Sequence, residues 1–387
     1  MKVTEYIEKA NGKTLFSFEI LPPLKGQNIN LFFDAIDPLL EYNPSFINVT
    51  YHREEYEYIE RENGLLERRV VRKRPGTVGI CAAIQNRYHI DAIPHILCGG
   101  FNREETENFL IDLDFLEIDN VMALRGDVMK SETYFKPEKN GNAHASDLVH
   151  QIKQMNDGVY LDHNIELPSP TNFCIGVAGY PEKHMEAASL HQDVLNLKKK
   201  QEAGADYVVT QMFFDNQKFF EFVDKCREEG ITIPIIPGLK PITAKSQLSM
   251  LPYRFKVDLP DDLVIEITKC KTAADVKQVG IEWCTAQSKE LKERGVPALH
   301  YYSMGRSEGV VLRYLTDAYR ALRPGRSSFM GLFYFVFKYL KIIFVPKYRS
   351  VRGFIILCLV FFLEKNNVFL MRNVIKILSL QHLITYL

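Results

Sequence analysis

The sequence predicts an α/β fold: a closed (β/α)8 barrel with an inserted β-hairpin, followed by a hydrophobic C-terminal tail of different character. Three observations predict it. Eight short apolar runs alternate with stretches of helical apolar spacing up to residue 302, the rhythm of a parallel sheet wound in one direction. Polar signatures follow the apolar runs, which puts them on the C-terminal rim where barrel enzymes keep their sites. No G-x-G-x-x-G follows a strand and no Walker A sequence occurs, so the alternative, a doubly wound open sheet, lacks its usual phosphate loops.

The first strand begins at Phe16 and stops at Pro22-Pro23, where a backbone donor is missing. By the period of two, Phe16, Phe18 and Ile20 face one way while Ser17, Glu19 and Leu21 face the other. Residues 28–40 carry Ile29, Phe32, Phe33, Ile36, Leu39 and Leu40 at helical spacing, and Phe46 to Tyr51 is the second strand. Residues 52–76 break the rhythm. Asn63-Gly64 is a strong hairpin-turn signal between Tyr56, Tyr58, Leu65, Leu66, Val70 and Val71, so this segment reads as an inserted hairpin. Its arginines are balanced by glutamates and read as a solvated face rather than a phosphate site.

From Thr77 the alternation resumes, with a helix to about Tyr88, a strand over 92–97 with Pro94-His95 at its end, a helix over 103–115 and a strand over 120–124. That strand ends in Arg125-Gly126-Asp127. A helix begins near Ser146-Asp147, and a second insertion fills 156–172. The strand over 173–177 leads into Tyr180-Pro181-Glu182, and a long helix is expected from Met185 to Ala203. The strand over 207–210 ends in Gln211, a helix covers 217–229, and the strand over 233–236 ends in Pro237-Gly238. Helices occupy about 243–294 before the last strand, 298–302, which ends in Ser303-Met304-Gly305-Arg306.

Lys+Arg and Asp+Glu both number 48, so no basic surplus points to nucleic acid, and an anionic ligand must be held by local charge. The seven cysteines form no CxxC pair and no metal-ligand cluster, which suits reduced thiols in a cytosol and no metal site. Met1-Lys2-Val3-Thr4-Glu5 contains no hydrophobic signal segment, so a cytoplasmic location is expected.

Glu19 is the residue around which a site is expected. A carboxyl inside an apolar strand is costly unless paired or protonated, and a raised pKa is what a general acid needs at neutral pH; a structural ion pair is the alternative. Arg125-Gly126-Asp127 offers a cation, a close-approach backbone and a carboxylate, although a loop salt bridge accounts for the triplet equally well. Residues 180–184 are expected to open the long helix, whose amides suit an anion, with His184 as a candidate donor. Within that helix Asp193, Asn196 and Lys200 share one face, extended by Lys198 and Lys199, which suits a diphosphate or ribose as well as it suits solvent. Gln211, Gln247 and Arg306 are expected just beyond strands, where amides and a guanidinium could read a heterocycle and a carboxylate tail.

These words, F-S-F-E-I-L-P-P, P-H-I-L-C at 94–98, A-L-R-G-D at 123–127, G-Y-P-E-K-H at 179–184, T-Q-M-F-F-D at 210–215, I-P-G-L-K-P at 236–241 and H-Y-Y-S-M-G-R at 300–306, occur in one order. In that order the chain resembles the methylenetetrahydrofolate reductase family from about Thr14 to Leu315. The resemblance implies a TIM barrel holding FAD at its C-terminal rim, NADH or NADPH as electron donor, and reduction of 5,10-methylenetetrahydrofolate to 5-methyltetrahydrofolate by a ping-pong route that supplies methionine synthesis. It implies that Glu19 is the general acid and Asp127 the carboxylate between flavin and pterin. For FAD it carries over onto Thr50, Tyr51, His95, Arg125, Gly126, Asp127, His144, Ala145, Tyr180, His184, Ala187, Asp193, Asn196, Lys199 and Lys200. For folate it carries over onto Glu19, Asp127, Gln211, Gln247 and Arg306. His144 stands where relatives often have Tyr, and Leu251 where some stack a Phe on the nicotinamide, which leaves NADH against NADPH open. A homo-oligomer is expected.

The resemblance divides the chain into a catalytic barrel, 1–315, and an atypical tail, 316–387, for which the family offers no counterpart. In the tail only Asp317 and Glu364 are acidic, and its longest uncharged runs, Ser327 to Phe337 and Gly353 to Leu363, fall short of the roughly 20 residues that span a bilayer. A membrane-surface segment, two short helices docked on the barrel and a frame-shifted end compete as readings. Two rival functions go with these features: a flavin-free folate barrel of the methyltransferase type, and a membrane-tethered barrel without turnover.

Overall fold

The computed structural model describes residues 1–128 and 132–302. After a short helix α1 (Val3–Ala10), the chain forms β1 (Leu15–Ile20), α2 (Ile29–Ile36) and β2 (Phe46–Val49), then a separate antiparallel pair, β3 (Glu55–Glu60) and β4 (Leu66–Val71). Next come α3 (Thr77–Tyr88), β5 (Asp91–Leu97), α4 (Arg103–Phe115), β6 (Asn120–Leu124), α5 (Ala145–Asn156), β7 (Cys174–Gly179), α6 (Leu190–Glu202), β8 (Tyr207–Met212), α7 (Asn216–Glu228) and β9 (Ile235–Leu239). Helices α8 (Gln247–Phe255), α9 (Asp261–Lys269) and α10 (Ala273–Glu293) lead to β10 (Ala298–Tyr302). The barrel strands pair in parallel and close in the order β1, β10, β9, β8, β7, β6, β5, β2. The expected barrel and inserted hairpin are therefore the observed architecture.

Strand periodicity decides what is inside. Phe16, Phe18, Ile20, Ile47, Val49 and Ile96 point outward into the core shared with the helices. Phe46, Ile93, Met122, Tyr207, Ile236 and Ala298 point inward and fill the lower part of the barrel. Val3 of α1 joins that inner cluster, and its N–H donates to Asn120 Oδ1 at 2.9 Å, so α1 closes the bottom. Helix α1 was not among the sequence expectations. Its signal is short: Val3, Tyr6 and Ile7 on one face, closed by Asn11 at φ 47°.

Several boundaries differ from expectation. The helix expected over 28–40 ends at Ile36 and continues as a 3-10 turn through Asp37–Tyr42, because Pro38 cannot donate an α-helical bond. Pro94 lies inside β5 rather than at its end, paired with Val49. β9 likewise runs through Pro237-Gly238. Beside it β8 shifts register between Val209 and Met212, and the Gly238 N–H finds Thr210 Oγ1 at 3.0 Å. The helix expected from Met185 starts only at Leu190, where Ser189 caps it by accepting from Gln192 N at 3.1 Å.

The hairpin turns at Asn63-Gly64, with Gly64 at φ +73° and Asn63 Oδ1 accepting from Leu65 N at 3.1 Å. Tyr58, Leu65 and Leu66 are exposed, and Arg68 stacks over Tyr56 at 4.6 Å, which agrees with a solvated face. No helix among the described residues is long and apolar enough to cross a membrane. The tail, 316–387, lies outside the described residues.

Candidate active site

Above the apolar floor the inward positions turn polar. Ser17 and Glu19 on β1, Asn48 on β2, His95 on β5, His300 on β10 and Lys240 just past β9 are all buried. Each follows an inward floor residue by an even step on its strand or belongs to the polar face of β1. Ser17 Oγ lies 3.0 Å from His300 Nδ1, joining β1 to its neighbour β10. The His300 ring packs edge-on against Tyr302, whose hydroxyl donates to the Thr210 carbonyl at 2.6 Å.

Glu19 is 8% exposed, and burial pushes its carboxyl up to about 8 against the opposing pull of Lys240. The protonated acid therefore predominates at neutral pH. His95 Nε2 lies 3.5 Å from Glu19 Oε2, but burial, helped by the charge of His52, pushes the imidazole down to about 3. At pH 7 that contact joins two neutral groups. Lys240 is 1% exposed, its Nζ has no hydrogen-bond partner among the described residues, and burial pushes it down to about 8 while Glu19 pulls it back up. Burial pushes His300 down to about 3 as well. The arrangement buries one proton-bearing acid and one amine close enough for each to act on the charge of the other.

The rim on the β5 to β8 side carries the second group of expected residues. Gly126 has φ +88°, and a Cβ there would sit 3.3 Å from Leu97, so glycine lets this backbone turn close against the end of β5. Arg125 is gripped by Glu186, with Nη1 to Oε2 at 2.5 Å and Nη2 to Oε1 at 2.7 Å, and its guanidinium stacks on Phe135. The exposed Asp127 accepts at its carbonyl from Arg53 Nη2 at 3.4 Å. Tyr51 packs against Phe101 and Phe109, Thr50 Oγ1 is buried without a partner among the described residues, and Ala145 begins α5 behind its N-cap, His144. Lys200 Nζ donates to the Ala178 carbonyl at 2.8 Å, and burial pushes the amine down to about 8.

The tyrosine and histidine of the 180–184 segment do meet, edge to face at 4.8 Å. His184 does not open a helix, however. Residues 181–189 are irregular, and the His184 N–H donates to Asp193 Oδ2 at 2.8 Å, so this amide is not one of the exposed helix-start donors that were expected. Asp193 thus holds the loop against α6. The buried Ala187 accepts at its carbonyl from Lys183 Nζ at 2.7 Å. Asn196 is half-buried and accepts from Gln192, while Lys199 is exposed.

Gln211 belongs to β8 rather than following it, and its Oε1 accepts from Met212 N at 2.9 Å. Gln247 begins α8, well past β9. Its Oε1 accepts from Thr243 N at 2.6 Å and Ala244 N at 3.2 Å, which ties down the loop after Lys240 and leaves its amide NH2 for a ligand. Arg306 lies outside the described residues. Sequence reasoning missed Lys240, His300, Ser17, Asn48 and Glu186. For Lys240 the signal was available: Ile236, Gly238 and Lys240 share one parity, and an inward lysine beyond an apolar strand has no ordinary structural use.

Comparison with known proteins agrees with this geometry. A family model described as methylenetetrahydrofolate reductase matches residues 2–314. The chain is 31% identical over 316 residues to methylenetetrahydrofolate reductase (NADH) 1 of Arabidopsis thaliana, covering 79% of this chain and 48% of that protein. It is 29% identical over 324 residues to the 5,10-methylenetetrahydrofolate reductase of Salmonella typhimurium, covering 84% of this chain and 96% of that one. The chain thus spans about half the length of the plant relatives it matches and nearly all of the bacterial one. With that match running across every barrel strand, the chain belongs to the methylenetetrahydrofolate reductase family.

Proposed function

We propose that this chain reduces 5,10-methylenetetrahydrofolate to 5-methyltetrahydrofolate, taking electrons from NADH or NADPH through bound FAD in alternating half-reactions. The observation that carries the reading is Glu19: a buried carboxyl, pushed up to about 8, on the inner face of a barrel strand in this family. A relative of 31% identity is named for NADH, which favours that donor.

The residues present fit FAD. The unpartnered buried Thr50 Oγ1 and the close-turning Gly126 backbone suit a flat polar ring, while Arg125 and Lys200 supply cations for a diphosphate. Tyr51, His95, Asp127, His144, Ala145, Tyr180, His184, Ala187, Asp193, Asn196 and Lys199 complete the set that would hold it. Bound FAD would supply hydride transfer, from the nicotinamide to the one-carbon unit of the folate.

The chain's own part is proton transfer and charge placement. Glu19 gives its proton to N10 of the folate as the bond from that nitrogen to the one-carbon bridge breaks, and the N5 lone pair forms the iminium. Asp127 places a negative charge where that cation develops, and Gln211, Gln247 and Arg306 orient the folate.

The visible spectrum of the purified chain tests this directly. A yellow protein that NADH bleaches under anaerobic conditions, and that recovers its colour on adding methylenetetrahydrofolate, is expected. A colourless protein that refuses FAD yet still binds folate would replace this reading with the flavin-free methyltransferase type.

A further inference from the structure

We propose that Lys240 is a positioning residue for proton transfer: the cation that sets when Glu19 holds its proton and that receives the carboxylate once the proton has left. This rests on Glu19 being the proton donor of the preceding section. Nothing in the sequence motifs or the family match assigns Lys240 a role.

Placement carries the argument. Lys240 follows directly on β9, two residues beyond Gly238 and four beyond Ile236 of the floor; Glu19 pairs with Tyr302 and Leu239 with Tyr301, so Lys240 stands at the level of Glu19 two strands away around the barrel. It is 1% exposed, and its Nζ finds no hydrogen bond among the described residues. An unbonded buried ammonium is costly unless an opposite charge is at hand or is about to form.

Glu19 is faced by Lys240 beyond β9, His95 on β5 and Tyr302 on β10. His95 is faced in turn by His52 and His300. Lys240 is faced by Glu19 and by Cys284 on α10. Burial keeps both His95 and His300 neutral at pH 7, holds the Tyr302 phenol protonated and pushes the Cys284 thiol up to about 12. Among the described residues, Lys240 is the cation that acts on the Glu19 carboxyl, and it is placed to meet the charge left there. When the Glu19 O–H bond breaks, the proton goes to folate N10, the broken carbon–nitrogen pair stays on N10, and the N5 pair closes the iminium. The carboxylate then lies beside a cation already in place.

Lys240→Met removes the charge at similar volume, and Lys240→Arg keeps it. Two measurements are made on the full chain: the pH profile of the folate half-reaction with FAD loaded, and the infrared titration of the Glu19 carboxyl, with Glu19→Gln as the subtraction reference. In Lys240→Met the alkaline fall of the folate rate should move up by about one pH unit or more and the maximum should drop roughly tenfold, because a weaker acid gives up its proton less readily. The protonated carboxyl band should persist to correspondingly higher pH. Reduction by NADH should be unchanged, and Lys240→Arg should stay within about twofold of the native profile. An unmoved profile and band in Lys240→Met, or an Arg variant as impaired as the Met one, would overturn the proposal. A band that moves while Glu19→Gln still reduces folate upholds the effect of Lys240 on that proton and instead removes Glu19 as donor.

Discussion

Glu186 holds Arg125 at two points, Nη1 to Oε2 at 2.5 Å and Nη2 to Oε1 at 2.7 Å, so the guanidinium fork at the rim is filled by the chain's own carboxylate. This pairing raises the arginine and lowers the glutamate from their ordinary values, chiefly through the hydrogen bonds between them. A diphosphate reaching Arg125 must share the fork or displace Glu186.

Glu186→Gln should therefore bind FAD more tightly. The pair is partly exposed and worth up to about 1 kcal/mol, which corresponds to a gain of roughly two- to fivefold. Quenching of flavin fluorescence on titrating the apoprotein measures it. Weaker binding would mean that Glu186 aims the arginine rather than competing for it.

Glu19→Gln should retain reduction by NADH and lose folate reduction by at least about a hundredfold, since general acid catalysis contributes on that order. With Glu19 as the proposed proton donor, the acid form is the active one. Folate reduction should accordingly fall as pH rises through about 8, the value to which burial pushes this carboxyl. Rapid mixing of each half-reaction separates the effects, and equal loss in both would remove the assigned role.

Burial of Glu19 also shapes stability. Between its ordinary 4.5 and about 8 the folded chain keeps a proton that the unfolded chain releases, so stability declines as pH rises across that window. Glu19→Gln is free of this dependence and should exceed the native chain by roughly 3 kcal/mol at pH 7 while matching it near pH 4. Urea unfolding at both values is the measurement. A difference independent of pH would show that no proton is held there.

Gly280 of α10 packs directly against the loop after β9, since a Cβ on it would lie 1.8 Å from the Ile242 carbonyl oxygen. Gly280→Ala should push α10 and that loop apart, costing about 1–3 kcal/mol. Because Gln247 is anchored in the same loop through Thr243, KM for folate should rise as well. Gly79→Ala in α3, where a Cβ meets nothing within 4 Å, is the control and should not destabilise. Melting temperatures and folate KM of the two variants decide it.

Much of this architecture was legible because it depends on local period. The alternation of Phe16, Ser17, Phe18 and Glu19 assigned opposite faces before any strand had a neighbour, and Asn63-Gly64 announced the hairpin. Helix starts were less legible. The helix expected at Met185 begins at Leu190, where Asp193 in its first turn reaches back to accept from His184 and holds the preceding segment as a loop.

By itself, the sequence determined the barrel, the hairpin, the family words and a carboxyl inside an apolar strand, since each is written in residues a few positions apart. Only the tertiary structure decided which charges Glu19 meets. His95 arrives from β5, Lys240 from beyond β9, and the Ser17–His300 pair forms across strands that lie 283 residues apart in the chain. Closure of the barrel buries them together. Burial there shifts every proton affinity at once, and no local pattern records that.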